Sequence, residues 1–98
     1  MSSQYRGVVW HSKQGQWRVK VKKSDPAAGR QRLFYKEFHD EETAARVYDV
    51  VARMLHGPNA KLNFDGEPPV EHPRYEILRW MLEQGTITPE EALGKAES

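Results

Sequence analysis

The stretch Gln16-Trp17-Arg18-Val19-Lys20-Val21-Lys22 alternates without a break. In an extended strand Trp17, Val19 and Val21 fall on one side, and Arg18, Lys20 and Lys22 on the other. Successive cations then stand roughly 7 Å apart. A protein core does not accept three unpaired cations, so that side must meet water or an anion. The fold therefore needs a sheet with one covered face and one open, basic face.

The flanking segments supply the rest of that sheet. Residues 5–11, YRGVVWH, read as a strand rich in valine and aromatics, and residues 12–15, SKQG, as a turn. Residues 24–30, SDPAAGR, are punctuated by Pro and Gly as a loop, and residues 31–38, QRLFYKEF, form a third strand. Connections this short predict an antiparallel meander. A helix follows over about 41–56, with Asp40 as N-cap and Glu41 and Glu42 in its first turn. Ala44, Ala45, Val47, Tyr48, Val51, Ala52 and Leu55 give it an apolar stripe of mostly small residues, which lets it lie close to the sheet. Gly57-Pro58 stops it, and residues 59–64 return extended with Leu62 and Phe64 turned inward.

Beyond a proline-rich linker at 65–73, a second helix spans about 74–84, with Tyr75, Ile77, Leu78, Met81 and Leu82 as its apolar stripe. A third lies within 86–97: Thr88 at the N-cap, Pro89 at N1 and Glu91 at N3 form a capping box, and Ile87 can staple against Ala92. The expected fold class is α+β: a three-stranded antiparallel sheet packed on one helix, plus a C-terminal extension of two short helices.

Net charge hides a division. The 98 residues sum to +1, but residues 1–37 hold nine Lys and Arg against two acids, and residues 38–98 hold six against twelve. A basic half followed by an acidic half points to a polyanion-binding face backed by a solvated one. With no cysteine, thiol nucleophiles, disulfides and cysteine zinc sites are excluded. No stretch is apolar enough to span a bilayer, and MSSQYRGVVW lacks signal-peptide order. His11, His39, His56 and His72 show no metal-ligand spacing, and no metal or cofactor is expected. The glutamate pairs 41–42 and 90–91 suit helix starts better than acid–base catalysis, and Asp49 suits a hydrogen-bonding role inside the domain. Enzymatic activity is not expected.

Four blocks stand in order: Tyr5-Arg6-Gly7-Val8, Gly15-x-Trp17, Ala44-Ala45-x-x-Tyr48-Asp49, and Gly57-Pro58-x-Ala60-Lys61-Leu62-Asn63-Phe64. In this order and spacing they resemble the AP2/ERF DNA-binding domain, over residues 4–65, with residues 66–98 outside the match. The resemblance implies that the sheet, rather than a helix, enters the major groove of duplex DNA. It implies DNA contacts at Arg6, Val9, His11, Lys20, Lys22, Arg32, Phe34 and Tyr48. Arg18, Lys13 and Lys36 join them from the basic half, and Trp10 is either core cover or a stacking contact. Val9 stands where plant GCC-box binders carry an arginine, and Val9-Trp10-His11 looks more like variants outside land plants. Lysines in place of arginines imply weaker guanine reading.

The expected role is transcription regulation, with nuclear residence in a eukaryote and cytoplasmic or nucleoid residence otherwise. Two alternatives remain: a DNA-targeting module of a mobile-element nuclease or integrase, and a protein-interaction module acting through the acidic tail. The tail reads either as a helical cover on the domain or as a surface for a second copy or protein partner through 74–97.

Overall fold

The computed structural model describes residues 3–27 and 29–96. Strands β1 (Val8–His11), β2 (Gln16–Asp25) and β3 (Arg30–Phe38) form an antiparallel sheet in the order β1-β2-β3. Helix α1 (Glu41–His56) follows, then a short 3₁₀ turn (Gly57–Asn59), α2 (Arg74–Glu83) and α3 (Pro89–Ala96). The meander, the long helix and the two short helices are those the sequence predicts. The predicted end of the last helix at residue 97 lies outside the described residues.

Strand limits differ from expectation for local reasons. β1 begins at Val8 instead of residue 5 because Gly7 adopts a φ of +76°, which interrupts the extended chain. The Tyr48 ring occupies the space where a β-carbon on residue 7 would lie, so only glycine fits there. β2 runs on to Asp25 because Asp25 pairs with Arg30 across the turn, and its carboxylate also accepts from Arg32 Nε and Nη2 at 3.1 and 2.9 Å. Residues 59–64, expected to be extended, instead start within the 3₁₀ turn, where the proline at 58 occupies its first turn.

α1 matches its expected span. The Asp40 carboxylate accepts from the Thr43 N–H at 2.8 Å and from the Thr43 hydroxyl at 2.9 Å, while Gly57, at φ +78°, ends the helix. Its small side chains Ala44, Ala45 and Ala52 are buried with Val47, Val51 and Leu55, in one core with Val8, Val19, Val21, Phe34 and Phe38 of the sheet. Val50 and Met54, outside the predicted stripe, are buried as well, and α2 touches α1.

The extension shares this core. Ile77, Leu78 and Met81 of α2, with Ile87 and Ala92, join the same cluster. Trp80 packs on Phe38 and His72 with ring centroids 5.9 and 5.1 Å away. The capping box at α3 forms as predicted: the Glu91 N–H donates to the Thr88 hydroxyl at 3.2 Å, and the Thr88 N–H to the Glu91 carboxylate at 3.0 Å. The buried face of α2 is narrower than predicted. Tyr75 is 69% exposed and Leu82 36%, because so short a helix presents a single narrow face to the core.

The tail also closes the open edge of β3. The Tyr35 N–H donates to Gln84 Oε1 at 2.9 Å, and Gln84 Nε2 donates back to the Tyr35 carbonyl at 2.5 Å. The Thr86 hydroxyl donates to the Leu33 carbonyl. Two side chains thus satisfy backbone groups that a fourth strand would otherwise pair. Met81→Ala, which deletes a fully buried side chain of the extension, is expected to lower the unfolding free energy of the whole chain by about 2–5 kcal/mol in urea denaturation. A loss confined to α2 signals, with the sheet melting as before, would show that the extension is not part of one cooperative core.

Candidate nucleic-acid interface

The register of the sheet fixes what its outer face displays. Val9, Arg18 and Glu37 lie in one row across the three strands. The next rows carry Lys20 opposite Tyr35 and Lys22 opposite Leu33, while His11 stands opposite Gln16. These residues alternate with the buried Val8, Val19, Val21 and Phe34, and so face away from α1. Lys20 and Lys22 are exposed, and Lys20 Nζ lies 5.9 Å from the Tyr35 ring centroid. Arg18 Nη2 lies 3.5 Å from Glu37 Oε1, whereas Arg18 Nε and His11 Nδ1 are covered and have no hydrogen-bond partner among the described residues. Lys13 is exposed on the turn between β1 and β2. Lys23, of opposite parity to the stripe, donates to the Leu55 carbonyl in the last turn of α1.

Arg6 is exposed and held by its backbone. Its N–H donates to Asn63 Oδ1 at 2.7 Å, and Asn63 Nδ2 donates to its carbonyl at 3.0 Å. Asn63 is held in turn by Asp49, which is fully buried and accepts from the Asn63 and Phe64 N–H groups at 2.8 and 2.6 Å. Asp49 thus has the internal hydrogen-bonding role expected of it, and the chain Asp49–Asn63–Arg6 anchors the approach to β1. The Tyr48 phenol, half-buried against Gly7, titrates above its ordinary value. Burial is the main cause and the Asp49 charge adds to it, while the Arg6 charge opposes it.

Four of the expected contact residues lie elsewhere. Phe34, at 0% exposure, is in the core opposite Val21. Trp10 pairs with Trp17 on the helix side, with ring centroids 5.0 Å apart, and so does not lie on the outer face. Lys36 is on the helix side too, with Nζ 4.6 Å from the Trp80 ring centroid. Arg32 sits under the tail: it binds Asp25, donates to Glu91 at 2.7 Å and donates to the Thr86 carbonyl at 3.1 Å. The reason is the same for the three on β3. Its residues 31–38 have no alternation of their own, so their faces are set by pairing with β2, and a one-residue difference reverses them all. Arg6, Val9, His11, Lys13, Arg18, Lys20, Lys22 and Tyr48 remain accessible or half-covered around the outer face and its approach. Glu37 and Tyr35, not singled out in the sequence, join them. The signal that places them is the β2–β3 register, which depends on where the turn closes.

Charge on the other side is locked internally. The Arg32 guanidinium is raised above its ordinary value by its hydrogen bonds to Glu91 and then Asp25. Burial pushes the Glu91 carboxyl upward, but the Arg32 guanidinium and the Thr88 hydrogen bonds outweigh it, so this carboxyl titrates below the ordinary range. A depressed folded-state value gives stability that is present above the unfolded value and lost as pH falls through the folded one. Acidification below the ordinary glutamate range, near pH 4.3, is therefore expected to loosen α3 and β3. Glu91→Gln should be less stable at neutral pH and lose that part of the acid dependence, measured as thermal midpoint against pH. Among the described residues no group of three His, Asp or Glu side chains is placed to hold a metal ion.

No family model matches the chain. It is similar to several plant proteins of known class. One is the AP2-like ethylene-responsive transcription factor PLT2 of Arabidopsis thaliana, 35% identical over 86 residues, 88% of this chain and 13% of that protein. A second is the AP2-like ethylene-responsive transcription factor ANT of the same plant, 34% identical over 89 residues, 91% of this chain and 14% of that protein. A third is its ethylene-responsive transcription factor ERF017, 36% identical over 70 residues, 71% of this chain and 36% of that protein. The chain therefore spans only a minor part of these relatives. An overlap of 86 residues in a chain of 98 also reaches beyond residue 65, where the resemblance read from the four blocks ends.

Proposed function

We propose that this chain, an AP2/ERF-type domain, binds duplex DNA through the outer face of its sheet and acts in transcription regulation. The observation that supports this most directly is the row of outward cations on β2, with α1 and the tail both on the opposite side. A three-stranded ribbon of this size suits the major groove, about 12 Å wide, and its long cationic side chains reach base edges and flanking phosphates. Lys20 and Lys22 bind phosphate as point charges, with Lys13 and Arg6 extending the positive surface toward the strands of the duplex. Val9, 48% exposed beside Arg18, offers an apolar contact of the kind thymine methyl groups accept. Tyr48 braces the Gly7 turn, so that Arg6 enters β1 at a fixed angle.

In a eukaryotic cell the site of action is the nucleus. The chemistry described needs no catalytic group, so the chain is a binding module. Any second copy or protein partner of the tail would have to meet Tyr75, Leu82 and Leu93, the large apolar side chains that α2 and α3 leave exposed.

If Arg6, Lys13, Lys20 and Lys22 each neutralise one phosphate, the logarithm of the binding constant falls with the logarithm of salt with a slope of about −3.6. Lys20→Ala with Lys22→Ala should weaken binding to every duplex and flatten the slope by about 1.8. Fluorescence anisotropy across a salt series measures both. Unchanged affinity in the double variant would show that another surface carries the binding.

A further inference from the structure

Glu37 is out of place on a face that meets a polyanion. Among the outward positions of β2 and β3 it is the one acid, and Lys20 and Lys22 lie one and two pleats away on the neighbouring strand. A free carboxylate facing phosphates would repel them and weaken binding. Glu37 is not free: it stands directly opposite Arg18 in the register, 3.5 Å from Nη2, with both side chains about a third or less exposed. The pair lies in the row Val9–Arg18–Glu37, which crosses the middle strand of the sheet. Of the Arg18 nitrogens, Nη2 is engaged by Glu37, and Nε is covered with no acceptor among the described residues, which leaves the terminal end of the guanidinium to face the groove.

A guanidinium beside a carboxylate displays donors and then an acceptor along one line. The major-groove edge of a G·C pair displays the complement: N7 and O6 of guanine accept, and N4 of cytosine donates. An A·T pair displays acceptor, donor, acceptor, which sets either the carboxylate against thymine O4 or the guanidinium against the adenine amino group. Resting on the DNA-binding reading above, we propose that Arg18 and Glu37 act together as a reader of one G·C base pair. Arg18 donates to guanine and Glu37 accepts from cytosine. Glu37 also orients the guanidinium before binding, which leaves less side-chain freedom to lose on the DNA. The acid is thus directed at a base edge, the one part of the groove that offers it a donor, while the lysines serve the phosphates.

The test is selection of bound sequences from a random duplex library by the full chain, its Glu37→Ala and Glu37→Gln variants, and Arg18→Lys. The salt slope of each is then measured on the selected site. Far-UV circular dichroism and thermal melting check that each variant is folded, and the glutamine, being isosteric, keeps the test open if the alanine variant is not. The unsubstituted chain should select G·C at a fixed position by between about fivefold and a hundredfold. Glu37→Ala and Arg18→Lys should each relax that same position, with the glutamine variant relaxed in the same direction, and Glu37→Ala should leave the salt slope unchanged. If Glu37→Ala tightens binding to all sequences and keeps the base preference, Glu37 serves only strand pairing and the proposal is overturned. A preference that moves in neither Glu37 variant overturns it as well. If the unsubstituted chain shows no salt-sensitive duplex binding at all, the DNA-binding reading itself fails, and this proposal with it.

Discussion

A sheet of three strands has too little area to be buried on both faces, and the central strand decides which face is given to water. In β2 the decision is made by strict alternation: Val19 and Val21 are buried against α1, and Arg18, Lys20 and Lys22 are left outside. Burying the valines is favourable by roughly 25 cal/mol for each Å² removed from water, and burying the cations would cost several times more. The small side chains Ala44, Ala45 and Ala52 let α1 approach closely enough to complete that burial. The polarity of the whole molecule follows. The buried apolar residues of α2 and α3 join the core on the helix side, and among the described residues neither helix lies over the basic side.

The extension does more than add apolar area. A unit of about sixty residues is marginal alone, so the further burial of Ile77, Met81 and Ile87 is a substantial contribution. The polar contacts are as specific as the apolar ones. Gln84 reproduces both hydrogen bonds of a neighbouring peptide at Tyr35, and Thr86 satisfies Leu33. Arg32, which would otherwise be a buried unpaired charge, is matched by two carboxylates and a carbonyl. This is the arrangement a half-buried arginine needs, and it accounts for one expected DNA contact lying under the tail instead.

Much of the fold is legible in the sequence because its signals are local. Alternation marks β2, a capping residue and a glycine mark the two ends of α1, and the Thr88–Glu91 box marks the start of α3. The site is legible only where it lies on β2, at the turn and at the Arg6 approach. β3 reads Arg32-Leu33-Phe34-Tyr35-Lys36-Glu37-Phe38, with no period of two, and either parity could be drawn from it. Its faces depend on a turn that closes between Asp25 and Arg30, tighter than the loop over 24–30 that the sequence suggests. Phe34, expected on the outer face, is therefore turned inward and Tyr35 outward. Partners distant in sequence, such as Asn63 for Arg6 or Gln84 for Tyr35, leave no local trace.

Tyr35 links the two sides. Its backbone is held by Gln84 at the end of α2, while its ring lies on the outer face beside Lys20. Glu37, two residues on, faces outward in the same strand, and Lys36 between them is turned inward onto Trp80 of α2. The tail therefore fixes the edge strand from which half of the outer surface projects, at both the backbone and a side chain. Tyr35 and Glu37 are paired in turn with Lys20 and Arg18, so β3 is held by β2 on one side and by the tail on the other. The extension lies away from the basic face, yet it braces the strand whose groups stand opposite the cations of β2.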